Sequence, residues 1–172
     1  MGNFIAPEDT VDIATEFTID NCYTDPSCIW AMAYMDDNYH GVDPVKQPEC
    51  MMTMLLGLFV NVRVSEKCEI ISREVLAKMV PHATRPGTGL HRYSLWTFKQ
   101  GDLIDTSCLH ENYEDNRLGF SLSDFAIEYK LQGPVCGNYF ETAYPDFEEV
   151  CDEICEEQNE QQNNKYKSKR YH

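Results

Sequence analysis

A chain of 172 residues, 42% apolar and 12% aromatic, has the length and composition of one folded domain with a core, not of a disordered polymer. Its formal net charge of −15 repels phosphate backbones and anionic lipid, so the expected partners include no nucleic acid and no membrane. The same charge favours cationic ligands or basic protein patches, with plain solubility as the alternative reading.

The elements follow in chain order. The start, MGNFIA, has the Gly2 of a myristoylation site but Ala6 where Ser or Thr is usual, and no secretory signal is expected before the fold. Residues 7–20 predict a short helix, with Val11, Ala14 and Phe17 stepping by three. Asp25-Pro26 breaks the chain into a loop. Residues 28–37 read as a strand covered on both faces, with Ile29, Ala31, Ala33 and Met35 on one side and Trp30, Met32 and Tyr34 on the other. The apolar run MMTMLLGLFV is too short to span a membrane, and it leads into a half-buried strand. There Val60, Val62 and Val64 share one side, and Asn61 and Arg63 the other. Residues 72–80 fit either a helix capped by Ser72 or a strand. Residues 91–108 predict two strands around a Lys-Gln-Gly-Asp turn. In 118–131 the apolar parity shifts between Leu118, Phe120, Leu122 and Phe125, Ile127, Tyr129, Leu131, which predicts strands with a bulge at Ser123-Asp124. A short strand over 135–143 follows the Gly133-Pro134 turn. The clearest helix is 146–158, where Phe147, Val150, Cys151, Ile154 and Cys155 form one apolar stripe behind an Asp146 cap. The polar stretch 159–172 reads as a disordered tail, and the four charged residues of its last eight, Lys165, Lys167, Lys169 and Arg170, are all basic.

The eight cysteines (Cys22, Cys28, Cys50, Cys68, Cys108, Cys136, Cys151 and Cys155) are even in number and spread along the chain. There is no C-x-x-C and no spaced His pair, so zinc is not expected. Acids flank Cys151 and Cys155 and disfavour a reactive thiolate there. The expectation is a disulfide framework in an oxidising compartment, with the C-terminal helix stapled to the sheet. Buried free thiols are the alternative.

Catalytic signals are weak. Cys108 and His110 share a strand parity, but no oxyanion motif accompanies them. Carboxylate pairs arise by chance among 29 acids. No cofactor is expected and no metal. Strand aromatics stand out more: Trp30, Tyr34, Trp96, Phe120 and Tyr129 are the candidate ligand-binding residues, because aromatic faces with a nearby acid cage an organic cation. Ordinary core packing is the plainer account of each.

Many short strands before one amphipathic helix predict a mainly β fold. The expected form is an antiparallel lipocalin-like barrel over 1–158, closed so that no edge is exposed. In this order of elements the chain resembles the tick salivary lipocalins of the histamine-binding type. The likeness rests on IWAMAYMDDNYHGVDPVKQPECMM, on RYSLWTFKQGDLIDTSC and on VCGNYFETAYPDFEEVCDEIC. Cys22, Cys28 and Cys68 depart from that pattern, as does the early position of YSLW. The resemblance implies a bond from Cys50 to Cys155 and another from Cys136 or Cys108 to Cys151. It also implies a secreted, non-enzymatic, monomeric protein of saliva and immune evasion, sequestering a biogenic amine or lipid mediator inside its barrel. One alternative is an effector that binds a host immune protein through its outer surface. A second is an intracellular, lipidated viral protein with reduced cysteines.

Overall fold

A computed structural model describes residues 3–6, 28–41, 45–66, 69–81, 84 and 88–143. The predicted helices at 7–20 and 146–158, the tail 159–172 and Cys22, Cys68, Cys151 and Cys155 lie outside them. The strands are β1 (Asn3–Phe4), β2 (Ile29–Asp36), β3 (Met54–Val64), β4 (Ile70–Ala77), β5 (Leu90–Gln100) and β6 (Gln132–Ala143). Two helices, α1 (His110–Glu114) and α2 (Leu122–Glu128), lie between β5 and β6.

The strands form one sheet in the order β1-β6-β5-β2-β3-β4. Every pairing is antiparallel except that of β1 with β6. β1 and β4 stand at opposite ends and do not meet, so the sheet is open, and the expected closed barrel is corrected. β2 lies between β3 and β5, and residues 31–36 are buried on both faces, as the two-sided apolar pattern requires. β5 follows β4 in sequence but pairs with β2 and β6.

Strand register sorts the side chains. Ala31 opposes Phe98, Ala33 opposes Trp96 and Met35 opposes Ser94, so these six share one face. Tyr34 opposes Leu95 and Asp36 opposes Tyr93 on the other. The first face carries the main core: Ala31, Ala33, Met35, Leu55, Leu58, Val60, Leu76, Ala77 and Phe98 pack with Phe120 and Phe125. The second carries two smaller clusters, one of Met32, Phe59 and Val62 and one of Tyr34, Leu56 and Tyr93.

Val60 and Val62 therefore lie in different clusters, against the clean alternation read from the sequence. Asn61 sits between them at φ 52, where the β3–β4 register shifts. Its buried side chain ties the loop after β5 to β3: Nδ2 donates to the Ile104 carbonyl at 2.9 Å and Oδ1 accepts from the Ile104 amide at 3.0 Å. The Gln100 side chain accepts from the Asn61 amide at 3.0 Å and donates to the Asp102 carbonyl at 2.7 Å. These side-chain bonds replace a ladder, so residues 103–108 form no second strand.

Residues 122–128 are helical, not stranded. Leu122, Phe125, Ala126 and Tyr129 recur at i, i+3, i+4, i+7 and pack against the main core. The Ser121 hydroxyl caps the helix by accepting from the Asp124 amide at 3.2 Å. Phe125, 3% exposed, anchors the helix to the sheet and contributes about 2 kcal/mol by its burial.

Arg117 fastens the segment before α2. Its guanidinium donates to the carbonyls of Leu55 at 3.2 Å and Lys78 at 2.9 Å, and pairs with Glu114 at 2.9 Å. The backbone follows, with the Leu55 amide donating to Arg117 and the Gly119 amide to Thr53.

The disulfide framework is corrected as well. Cys28, Cys108 and Cys136 are free thiols, so neither wall cysteine bonds Cys151 and four disulfides do not form. Cys50 is disulfide-bonded, with a partner outside the described residues. Three free thiols also remove the ground on which the cysteine count argued for an oxidising compartment.

Candidate functional site

At the C-terminal end of β2, ionisable groups crowd into a buried space. Asp36 and His91 are each 2% exposed and lie on neighbouring strands. Asp36 Oδ2 meets His91 Nδ1 at 2.7 Å, and His91 Nε2 meets the Thr88 hydroxyl at 2.8 Å. The register explains the meeting: Asp36 opposes Tyr93, and His91 and Tyr93 fall on the same face. His91 also stacks on Tyr93, with ring centroids 6.0 Å apart. Tyr34, Tyr93 and Phe140 extend the aromatic surface, and the Tyr93 hydroxyl meets Thr84 at 3.0 Å. Burial pushes both tyrosine hydroxyls well above their ordinary pKa, so they stay neutral donors.

The loop after β2 completes this end. Gly41, at φ 66, lies so close to Thr88 that a Cβ would meet the Thr88 carbonyl oxygen 1.1 Å away. Only glycine allows the two loops to touch there. His40 is half-buried, and its desolvation lowers the imidazole pKa and favours the neutral ring. Among the described residues nothing bonds His40 Nε2, nor Thr142 Oγ1, which is fully buried in the strand position opposite His91. Buried polar atoms left without partners at one end of a sheet are sites where a ligand or water completes the network.

A second chain of hydrogen bonds leads to the opposite face. Trp96 Nε1 donates to the Ser94 hydroxyl at 3.0 Å, and Ser94 donates to Asp37 Oδ1 at 2.8 Å. Burial pushes the Asp37 carboxyl up to about 6, with the Ser94 bond acting in the other direction. The Trp96 ring rests on Gly137, where a Cβ would come within 2.5 Å of it. Trp96 also lines a cavity of about 970 Å³ between the sheet and α2.

The five aromatics chosen from the sequence are not gathered together. Trp96 and Phe120 line the cavity, and Tyr129 packs at the edge of the same core, 4.9 Å from the Phe125 ring. Tyr34 faces the polar end, while Trp30 packs at the other end of β2 beside Met32 and Phe59. Cys108 is exposed, its sulfur 3.9 Å from the Ser107 hydroxyl. Among the described residues no cluster of three or more His, Cys, Asp and Glu is arranged to hold a metal ion. Asp36 and His91 escaped the sequence reading. Their signal was a charged or polar residue on the core-facing parity of an otherwise apolar strand.

No family model matches the chain. Among solved structures, it is similar to the carboxypeptidase Y inhibitor, solved in complex with its cognate proteinase, at 14% identity and TM-score 0.56, over 83% of this chain and 76% of that one. It is similar to CG7054, solved in solution, at 21% identity and TM-score 0.59, over 84% of this chain and 78% of that one. It is also similar to a phosphatidylethanolamine-binding protein from Plasmodium vivax, at 15% identity and TM-score 0.55, over 83% and 77%. The resemblance to tick lipocalins is therefore set aside: the fold of this chain is similar to that of these three proteins.

Proposed function

We propose that this is a non-enzymatic binding protein that takes a small ligand by an amine-bearing head at the polar end of the sheet. The observation that carries the reading is the buried Asp36–His91 pair with the unpartnered His40 Nε2 and Thr142 Oγ1 around it. A buried polar pair of this kind gives little net stability, so its presence favours a role in recognition. The Asp36 carboxylate is an acceptor at this end, and the rings of Tyr34, Tyr93 and Phe140 stand beside it. An ammonium supplies the missing donors and suits the ring faces. The structural likeness to a phosphatidylethanolamine-binding protein agrees with an amine-bearing ligand, and the likeness to a proteinase inhibitor keeps a protein partner in view.

Native mass spectrometry with tyramine and with its uncharged counterpart 4-ethylphenol tests this. Tyramine is expected to give a one-to-one adduct that Asp36→Asn weakens about tenfold, the scale of one charge-assisted hydrogen bond. Equal retention of 4-ethylphenol would overturn the reading. The order Thr88–His91–Asp36 also matches a nucleophile, base and orienting acid. Ester hydrolysis abolished by Thr88→Ala would establish an enzyme instead.

A further inference from the structure

The structure assigns a second binding site, for a single-chain amphiphile with a carboxylate head, to the cavity between the sheet and α2. This site lies on the face opposite the polar end, so it stands apart from the amine reading. Its volume of about 970 Å³ falls at the upper end of the range for small-molecule sites. The walls are apolar: Met35, Trp96 and Phe98 rise from the sheet, and Phe120, Leu122 and Leu131 come from α2 and its flanks. Ile127, on the same helix, also lines the cavity and is 75% exposed, so apolar surface continues to the mouth.

Charge selects the head group. The protein holds 29 acids against 14 lysines and arginines, yet the cavity lining includes Lys130 and no acid. The two acids of α2, Asp124 and Glu128, are both exposed and absent from the lining. Lys130 forms no ion pair among the described residues. Its backbone is fixed in the left-handed region at φ 51 by the end of α2, where its amide donates to the Ile127 carbonyl at 3.2 Å. The hydroxyls nearby are already engaged, with Thr53 donating to the Phe120 carbonyl at 2.6 Å and Ser121 capping the helix. The net negative charge repels an anion at long range, but that field is screened beyond about 8 Å at physiological salt, whereas Lys130 acts at contact. Lys130 lines the cavity and is exposed, so a fatty carboxylate can meet its ammonium at the water edge while the chain lies against the apolar walls.

Trp96 makes the site observable. The chain has two tryptophans, so Trp30→Phe leaves Trp96 as the sole indole. Dodecanoate, added below its micelle concentration to this variant, is expected to shift Trp96 emission saturably. Dodecyltrimethylammonium is expected to bind at least fivefold more weakly. Adding Lys130→Met is expected to weaken dodecanoate about fivefold, the scale of one exposed ion pair, and to leave dodecanol unchanged. Ala126→Phe, which narrows the cavity from the helix without adding an indole, should weaken the response to all three. Should that variant misfold, as judged by circular dichroism, the Lys130→Met comparison decides alone. A cationic amphiphile that binds as well as dodecanoate, a dodecanoate affinity unaffected by Lys130→Met, or no saturable response at all overturns the assignment.

Discussion

The two faces of the sheet solve different problems. One buries a continuous apolar cluster of twelve residues beneath α2, and the buried Ser94 on it is engaged in hydrogen bonds. The other divides its buried apolar residues into two clusters of three and places Asp36, His91 and Thr142 beside them. Continuous apolar burial is where stability comes from, and a buried ionisable pair with unsatisfied neighbours stores a cost that recognition can recover. The difference teaches that strength and selectivity are assigned to opposite sides of the same strands: Ala33 and Tyr34 are adjacent in β2 yet serve the two roles.

Three substitutions break or sharpen that contrast. The largest effect falls on the apolar face. Leu58 is 0% exposed, so Leu58→Ala is expected to lower unfolding free energy by about 3 kcal/mol in urea titrations while leaving the Asp36–His91 end able to bind. An equal loss of amine binding would show that the faces are not separable.

Asp37 comes next. Its folded pKa of about 6 lies above the ordinary carboxylate value, so the folded protein binds the proton more tightly than the unfolded chain does. The contribution is fully present below about pH 4 and is lost as pH rises through 6. Asp37→Asn keeps a neutral side chain throughout. The variant's melting temperature is expected to gain on the parent's between pH 4 and 7, by an amount equivalent to about 2 kcal/mol. A constant difference across that range would show that Asp37 is not desolvated.

The smallest effect is at the helix cap. Ser121→Ala removes the acceptor for the Asp124 amide and should cost about 1 kcal/mol. It should also weaken dodecanoate binding more than tyramine binding, because α2 roofs only one face.

Much of the local structure was legible in the sequence. The two-sided apolar pattern of 28–37 gave β2, and the alternation from His91 gave most of β5. The openness of the sheet was not legible. Closure depends on whether the first and last strands of the order meet, and that pairing is set by contacts far apart in sequence, such as β5 inserted between β2 and β6. Helix α2 was missed because Phe125, Ile127 and Tyr129 satisfy a period of two. Leu122, Phe125, Ala126 and Tyr129 satisfy 3.6 equally well, and the Ser121 cap decides between them. Trp96 and Phe120 were candidates on composition, and the sheet and the turn before α2 bring both to one cavity. The Asp36–His91 contact joins residues 55 positions apart, so no local motif announces it.

Arg117 carries a last consequence, for which substitutions this framework tolerates. Its planar fork reaches carbonyls on both β3 and the segment after β4, while Glu114 holds it from α1. A lysine has the same charge but only one nitrogen, and it cannot reach these separated oxygens together. The position is therefore closed to the most conservative exchange in the amino-acid alphabet, and the requirement there is for a shape rather than a charge.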